Sequence, residues 1–212
     1  MRALLIVREG DAAAFALGLA SGADALLADS AAAAAWRGQG PALYLRVRPL
    51  DDPLALDDLA EAVRLRPAGV AMASASGGAD VQRLGARLAV AEARQGLADG
   101  AVRILAFATQ TPEAVLGLPS YRGASDRLAG LVVTRAALAE SLRAAPDSRP
   151  VRLARDLALL AARAAGVIAL DAPFDGLAGL RAEARAARAD GFDGMAALSL
   201  AQVPVIQAAF AP

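Results

Sequence analysis

The sequence predicts an α/β protein, a compact (β/α)8 or TIM barrel forming one domain over residues 1–212, on three observations. Eight short apolar runs recur along the chain, and segments of helical spacing separate them. No glycine-rich phosphate loop follows the first run, which argues against the alternative, an open doubly wound sheet.

The apolar runs are Ala3–Val7, Ala25–Ala28, Ala42–Val47, Gly69–Ala73, Arg103–Ala108, Gly130–Val133, Gly166–Leu170 and Gly194–Ser199. Few alternate polar with apolar residues, as expected of strands covered on both faces. Helical spacing marks Ala12–Ala20, Leu54–Leu65, Ala79–Ala98, Pro112–Leu118, Ala136–Ala144, Val151–Ala165, Leu177–Ala189 and Ala201–Phe210. Pro53, Pro112 and Pro150 suit first helical turns, and Gly100 and Gly191 read as stops. The alanine-rich Ser30–Ala35 is expected to be a short helix. Asp171 and Asp175 flank Pro173 and read as a turn with an Asx cap opening the seventh helix.

Composition then narrows the chemistry. The chain has no histidine, cysteine, lysine or asparagine, and all 22 basic residues are arginine. Imidazole proton transfer, thiolate attack, Schiff-base formation and His/Cys zinc sites are thereby excluded. Carboxylates, hydroxyls, amides and guanidinium groups remain. A serine nucleophile would lack a base, which disposes of Ser74, Thr134 and Ser199 in that role. Charge is balanced, 22 acidic against 22 basic residues, with no block of like charge, so nucleic acid is not an expected partner. No apolar stretch reaches membrane-spanning length, and the opening MRALLIVREGD is too short in apolar residues for a signal peptide. With no cysteine, a cytoplasmic location is expected.

Two stretches carry a resemblance. GFDGMAALSLAQVPVIQAAFAP, Gly191 to Pro212, is similar to the closing motif of citrate lyase β-subunit-like proteins in the HpcH/HpaI aldolase superfamily. ASGADALLADSA, Ala20 to Ala31, resembles that family's second-strand motif. ALYLRVRPL, LRPAGVAMASASGGADVQRL, RILAFATQTPEAVLGLPSY and RLAGLVVTRAALAESL resemble its third- to sixth-strand motifs, in order. The resemblance implies a (β/α)8 barrel. It also implies Mg²⁺ held by a strand-five Glu and a strand-six Asp, and a third-strand Arg gripping a substrate carboxylate. The implied chemistry makes or breaks a carbon–carbon bond beside a carbonyl, on a citrate- or malate-type acid, often a CoA thioester.

The chain departs from that pattern where the chemistry lies. Gln110 stands at the metal Glu, Ala137 at the metal Asp, Ala31 and Ala32 at an acidic pair, and Ser74 at a lysine. Arg48 replaces an asparagine, Ser199-Leu200 a His-Pro pair, and Met195 the closing lysine. Asp29, Arg46, Asp171, Pro173, Asp175 and Gln202 are retained. Mg²⁺ prefers octahedral oxygen ligation with one or two carboxylates, so no cofactor is expected here.

The expected function is that of a degenerate family member, its metal-dependent lyase activity lost, binding a small carboxylate or acyl-CoA. Arg46, Asp29, Gln110 and Asp171 are the expected substrate-binding residues, gathered at one mouth, with no catalytic residue assigned. Arg46 would hold di- or tricarboxylates or form an ion pair with Asp29. Arg48 is expected to be a surface charge, and Trp36 to pack in a loop. The alternatives are an active lyase with an unusual metal-free site, and a non-catalytic scaffold partner of an active homologue. Assembly as a homo-oligomer, or a hetero-oligomer with that homologue, is compatible with either.

Overall fold

A computed structural model describes residues 1–211. Eight parallel strands close in sequence order: β1 (Ala3–Ile6), β2 (Ala25–Ala28), β3 (Ala42–Val47), β4 (Gly69–Met72), β5 (Arg103–Phe107), β6 (Leu128–Val132), β7 (Ile168–Asp171) and β8 (Gly194–Ala197). β8 returns to β1 with Ala3 opposite Met195 and Leu5 opposite Ala197. All eight apolar runs named from the sequence are strands, two of them with the same bounds and the rest with ends moved by one or two residues.

The helices are α1 (Ala12–Gly18), α2 (Ala55–Arg64), α3 (Gly78–Arg94), α4 (Pro112–Gly117), α5 (Arg135–Leu142), α6 (Arg149–Ala165), α7 (Leu180–Asp190) and α8 (Val203–Ala209). Their starts follow local chemistry. Asp11 accepts from Ala14 N at 2.8 Å and caps α1, and Thr111 caps α4 with Pro112 in its first turn. α6 ends on Gly166 and α7 on Gly191, both left-handed.

Three local expectations are corrected. Residues 30–35 form a run of turns, not a helix. Asp29 fastens that run, its Oδ1 accepting from Ala32 N at 2.8 Å and its carbonyl from Ala33 N at 3.1 Å, and so short a segment does not repay helix nucleation. α3 stops at Arg94, before Gly96 rather than Gly100. Buried Glu92 captures the N–H groups of Gly100 and Val102, which draws the chain out of the helix and into β5. Finally, α7 is capped by Gly179, not by Asp171 or Asp175.

Strand parity divides the core in two. Leu4, Leu27, Tyr44, Ala71, Leu105, Val132 and Leu170 fill the barrel interior. The opposite faces pack under the helices in one large cluster. Tyr44 lies across Gly69, where a Cβ would come within 2.5 Å of its ring, so a large aromatic and a glycine share one interior layer. Burial pushes the Tyr44 hydroxyl above its ordinary pKa, with the nearby Arg103 charge opposing it.

Candidate functional site at the barrel mouth

Because Ala42 and Tyr44 point inward, the next residue of the same parity on β3, Arg46, does too, and it leaves the interior at the C-terminal mouth. Its side chain is 27% exposed. Below it lies a depression of about 110 Å³ on the barrel axis, floored by Ile6, Leu27, Ala71 and Phe107 and edged by Gln110. Beside it opens a wider cleft of about 700 Å³ between the β1, β2 and β3 loops and α2. Arg46 lines both.

Arg46 pairs with Glu9, not Asp29; the Arg46 Nη1 to Glu9 Oε1 distance is 3.9 Å, and Glu9 is 79% exposed. So long and wet a pair is weak. Asp29 also lines the cleft, but backbone N–H groups occupy both its oxygens. Oδ2 accepts from Gly10 N at 2.7 Å and Oδ1 from Ala32 N at 2.8 Å. Asp29 thereby ties the β1 loop to the β2 loop. Arg48 is half exposed, as expected of a loop charge, but it is not free: its Nε lies 3.0 Å from Asp58 Oδ2.

Gln110 follows β5, and its Oε1 accepts the backbone N–H of Ser74 from the β4 loop. That loop is positioned from beneath. Gly78 N donates to Ser120 Oγ at 2.8 Å and the Tyr121 hydroxyl to Ala75 O at 3.2 Å. The contact requires glycine, since a Cβ on Gly117 would sit 1.9 Å from Ser76 O. On the other side, Thr134 N donates to Thr109 Oγ1 at 2.8 Å, joining the β5 and β6 ends.

Asp171 is at the same end of the barrel but faces away from the other three. On β7, Ile168 and Leu170 point inward, so Asp171 points into the helix layer, where it is fully buried. Arg155 on α6 grips both its oxygens, with Nε at 3.0 Å from each and Nη2 2.8 Å from Oδ2. Ala172 N donates to Oδ1 at 2.8 Å, and Arg155 reaches Asp190 and stacks over Phe192. Arg155 titrates above its ordinary range. Burial works against that rise, but the hydrogen bonds and charges of Asp171 and Asp190 outweigh it.

At the two positions where the resemblance implies metal carboxylates, the donors present are poor ones for a hard divalent cation. Gln110 offers a neutral amide oxygen already bonded to Ser74, and Ala137, in the first turn of α5, offers a methyl group. Among the described residues no three carboxylates gather as metal ligands. Glu9, Asp58 and Glu61 were not foreseen as part of this site. Only Glu9 carried a sequence signal, lying just past the first strand on the side where barrel loops form sites. Gln202, one of the residues shared with the family motif, ties loops together. It accepts from Leu198 N and donates to Phe174 O and Gly176 O, at 2.7–2.8 Å.

Fold and mouth together define a (β/α)8 barrel with an inward-rooted arginine where such barrels hold their ligands. The chain belongs to the HpcH/HpaI aldolase/citrate lyase family, whose profile matches residues 16–199. It is 26% identical over 175 residues to citrate lyase subunit beta of Leuconostoc mesenteroides subsp. cremoris. That match covers 80% of this chain but 58% of the relative, so the chain spans little more than half of that protein. Its fold is that of a citrate lyase from Burkholderia xenovorans LB400, with a TM-score of 0.86 and 17% identity over 100% of this chain and 77% of that one. It is also that of protein CitE from Mycobacterium tuberculosis in complex with magnesium and acetoacetate, with a TM-score of 0.80 and 23% identity over 100% and 90%. No helix among the described residues is long and apolar enough to cross a membrane.

Proposed function

We propose that this barrel binds a small carboxylate through Arg46 and has lost the metal-dependent carbon–carbon lyase chemistry of its family. One observation carries the reading. The arginine side chain still rises from the barrel interior into the axial depression, while an occupied amide and a methyl group stand where the family pattern has metal carboxylates. Arg46 can offer a carboxylate two parallel N–H donors, and its present partner, Glu9, is distant and exposed. Asp29 shapes the cleft, and Asp171 serves the fold. No residue at the mouth supplies a general base of histidine or lysine type.

The test is calorimetric titration with acetoacetate in metal-free buffer, beside an assay for cleavage of a malyl or citramalyl thioester with Mg²⁺ present. Saturable binding and no turnover are expected. A hydrogen-bonded charged pair contributes roughly 1.5–3 kcal/mol, so Arg46→Ala should weaken binding about ten- to a hundredfold. Turnover would establish an active lyase, and undiminished binding by Arg46→Ala would return Arg46 to a structural role.

A further inference from the structure

We infer that Gln110 is a second ligand-binding donor at the mouth, and that with Arg46 it selects a short monocarboxylate over di- and tricarboxylates. This rests on the carboxylate-binding reading above and adds to it a donor and a selectivity.

The orientation of the Gln110 amide follows from its partner. A backbone N–H can only donate, so the group facing Ser74 N must be the amide oxygen. The Nε2 end makes no hydrogen bond within the described residues, and Gln110 edges the axial depression that Arg46 also lines. Ser74 is itself in the left-handed region at φ 54°, a costly conformation for a residue with a side chain. The loop packing through Gly78, Ser120 and Tyr121 keeps it there. The amide is thus held by its oxygen, with its N–H donors free. A carboxylate in the depression would accept from the Arg46 guanidinium with one oxygen and from Gln110 Nε2 with the other.

Size and charge set the rest. The axial depression is small, about 110 Å³ against about 700 Å³ for the wider cleft. Its floor of Ile6, Leu27, Ala71 and Phe107 gives no partner to a second polar group, whose burial there would be unfavourable. A longer acid would place its second carboxylate in the wider cleft, or in a neighbouring one of about 720 Å³ where Asp51, Asp52 and Asp80 face the single Arg83. The wider cleft is lined by four carboxylates, Glu9, Asp29, Asp58 and Glu61, with Arg46 and Arg48. Arg48 is paired with Asp58 and Glu61 with Arg64. Once a first carboxylate engages Arg46, the four carboxylates outnumber Arg48 and Arg64, so the rim disfavours a second negative charge, and the phosphates of an acyl-CoA likewise. The proposed preference departs from the expectation of di- or tricarboxylates held chiefly by Arg46, because the acidic rim counts as well.

The probes are acetate and propionate against malonate and succinate, titrated in metal-free buffer into the wild type, Gln110→Glu, Gln110→Met, Glu9→Gln and Arg46→Ala. Gln110→Glu is informative because its carboxylate can still accept from Ser74 N and so keep the loop in place, while the donor is lost. Gln110→Met removes the donor without adding charge, and thermal melts confirm that each variant folds. The monocarboxylates should bind at least tenfold more tightly than the diacids. Both Gln110 variants should lose about tenfold or more. Glu9→Gln should gain up to about fivefold by removing a competing anion from Arg46. If Arg46→Ala loses binding but the Gln110 variants do not, or if diacids bind as well as monoacids, this inference is overturned and the Arg46 site stands. If no carboxylate binds, or Arg46→Ala binds unchanged, the carboxylate-binding reading falls with it.

Discussion

Arg155 holds Asp171 by both carboxylate oxygens inside the helix layer, with Asp171 fully buried and the Arg155 side chain 12% exposed. The pair pins α6 to the end of β7, one residue past the inward-facing Leu170. Removing one member of such a pair strands the other without its partner. Asp171→Asn should therefore cost about 3–5 kcal/mol of stability, read from urea denaturation. Replacing both residues with apolar ones, Asp171→Leu with Arg155→Met, should recover much of that loss. Carboxylate affinity should be unchanged in any variant that folds, because Asp171 faces away from the mouth. A loss of affinity at unchanged stability would place Asp171 in the site after all.

The Glu92–Arg127 pair gives the protein an acid-sensitive element. Glu92 is fully buried, with Arg127 at 2.8 and 2.7 Å and the N–H groups of Gly100 and Val102 also bonded to it. Burial alone would raise its pKa, but the Arg127 hydrogen bonds and the two backbone donors outweigh it and hold the carboxyl below its ordinary 4.5. A depressed carboxyl stabilises the fold above its unfolded pKa, and that contribution is lost as pH falls through the folded value. Stability should thus decline from about pH 4.5 downwards, and Glu92→Gln should flatten that acid limb in pH-dependent denaturation. An unaltered slope would remove Glu92 from the account.

The fold was legible because the strands are covered on both faces and so read as nearly continuous apolar runs, with charges such as Arg46, Arg103 and Asp171 at or near their ends. Asp171 shows where legibility ended. Its position near a strand end was readable, but the sequence reading ended the run at Leu170 and put Asp171 in the following turn, whereas β7 continues through Asp171 and its alternation turns that side chain to the helix layer. The partner of Arg46 was missed for a related reason. Glu9 and Asp29 both follow strands at the same mouth, and only the structure shows that backbone N–H groups already occupy the Asp29 oxygens. Gln110 was readable as a change of residue at a chemical position. Its orientation was not, because it depends on a backbone donor 36 residues away.

If the metal site decayed on an intact scaffold, restoring its two carboxylates should restore affinity. Gln110→Glu with Ala137→Asp should gain Mg²⁺ binding in calorimetry, and either change alone should gain little, since one carboxylate is a weak anchor for a strongly hydrated ion. Cleavage activity should stay absent, because Ala31 and Ala32 still replace the acidic pair. A folded double variant without Mg²⁺ affinity would mean that positions 110 and 137 do not face a common centre.

On the proposed function, the mouth recognises a carboxylate by arginine and without a metal. The unaltered protein, titrated with Mg²⁺ with and without saturating acetate, should show no saturable Mg²⁺ heat in either case, and acetate should bind equally in EDTA and in Mg²⁺. Stoichiometric Mg²⁺ binding at micromolar affinity, or acetate binding that requires the metal, would contradict it.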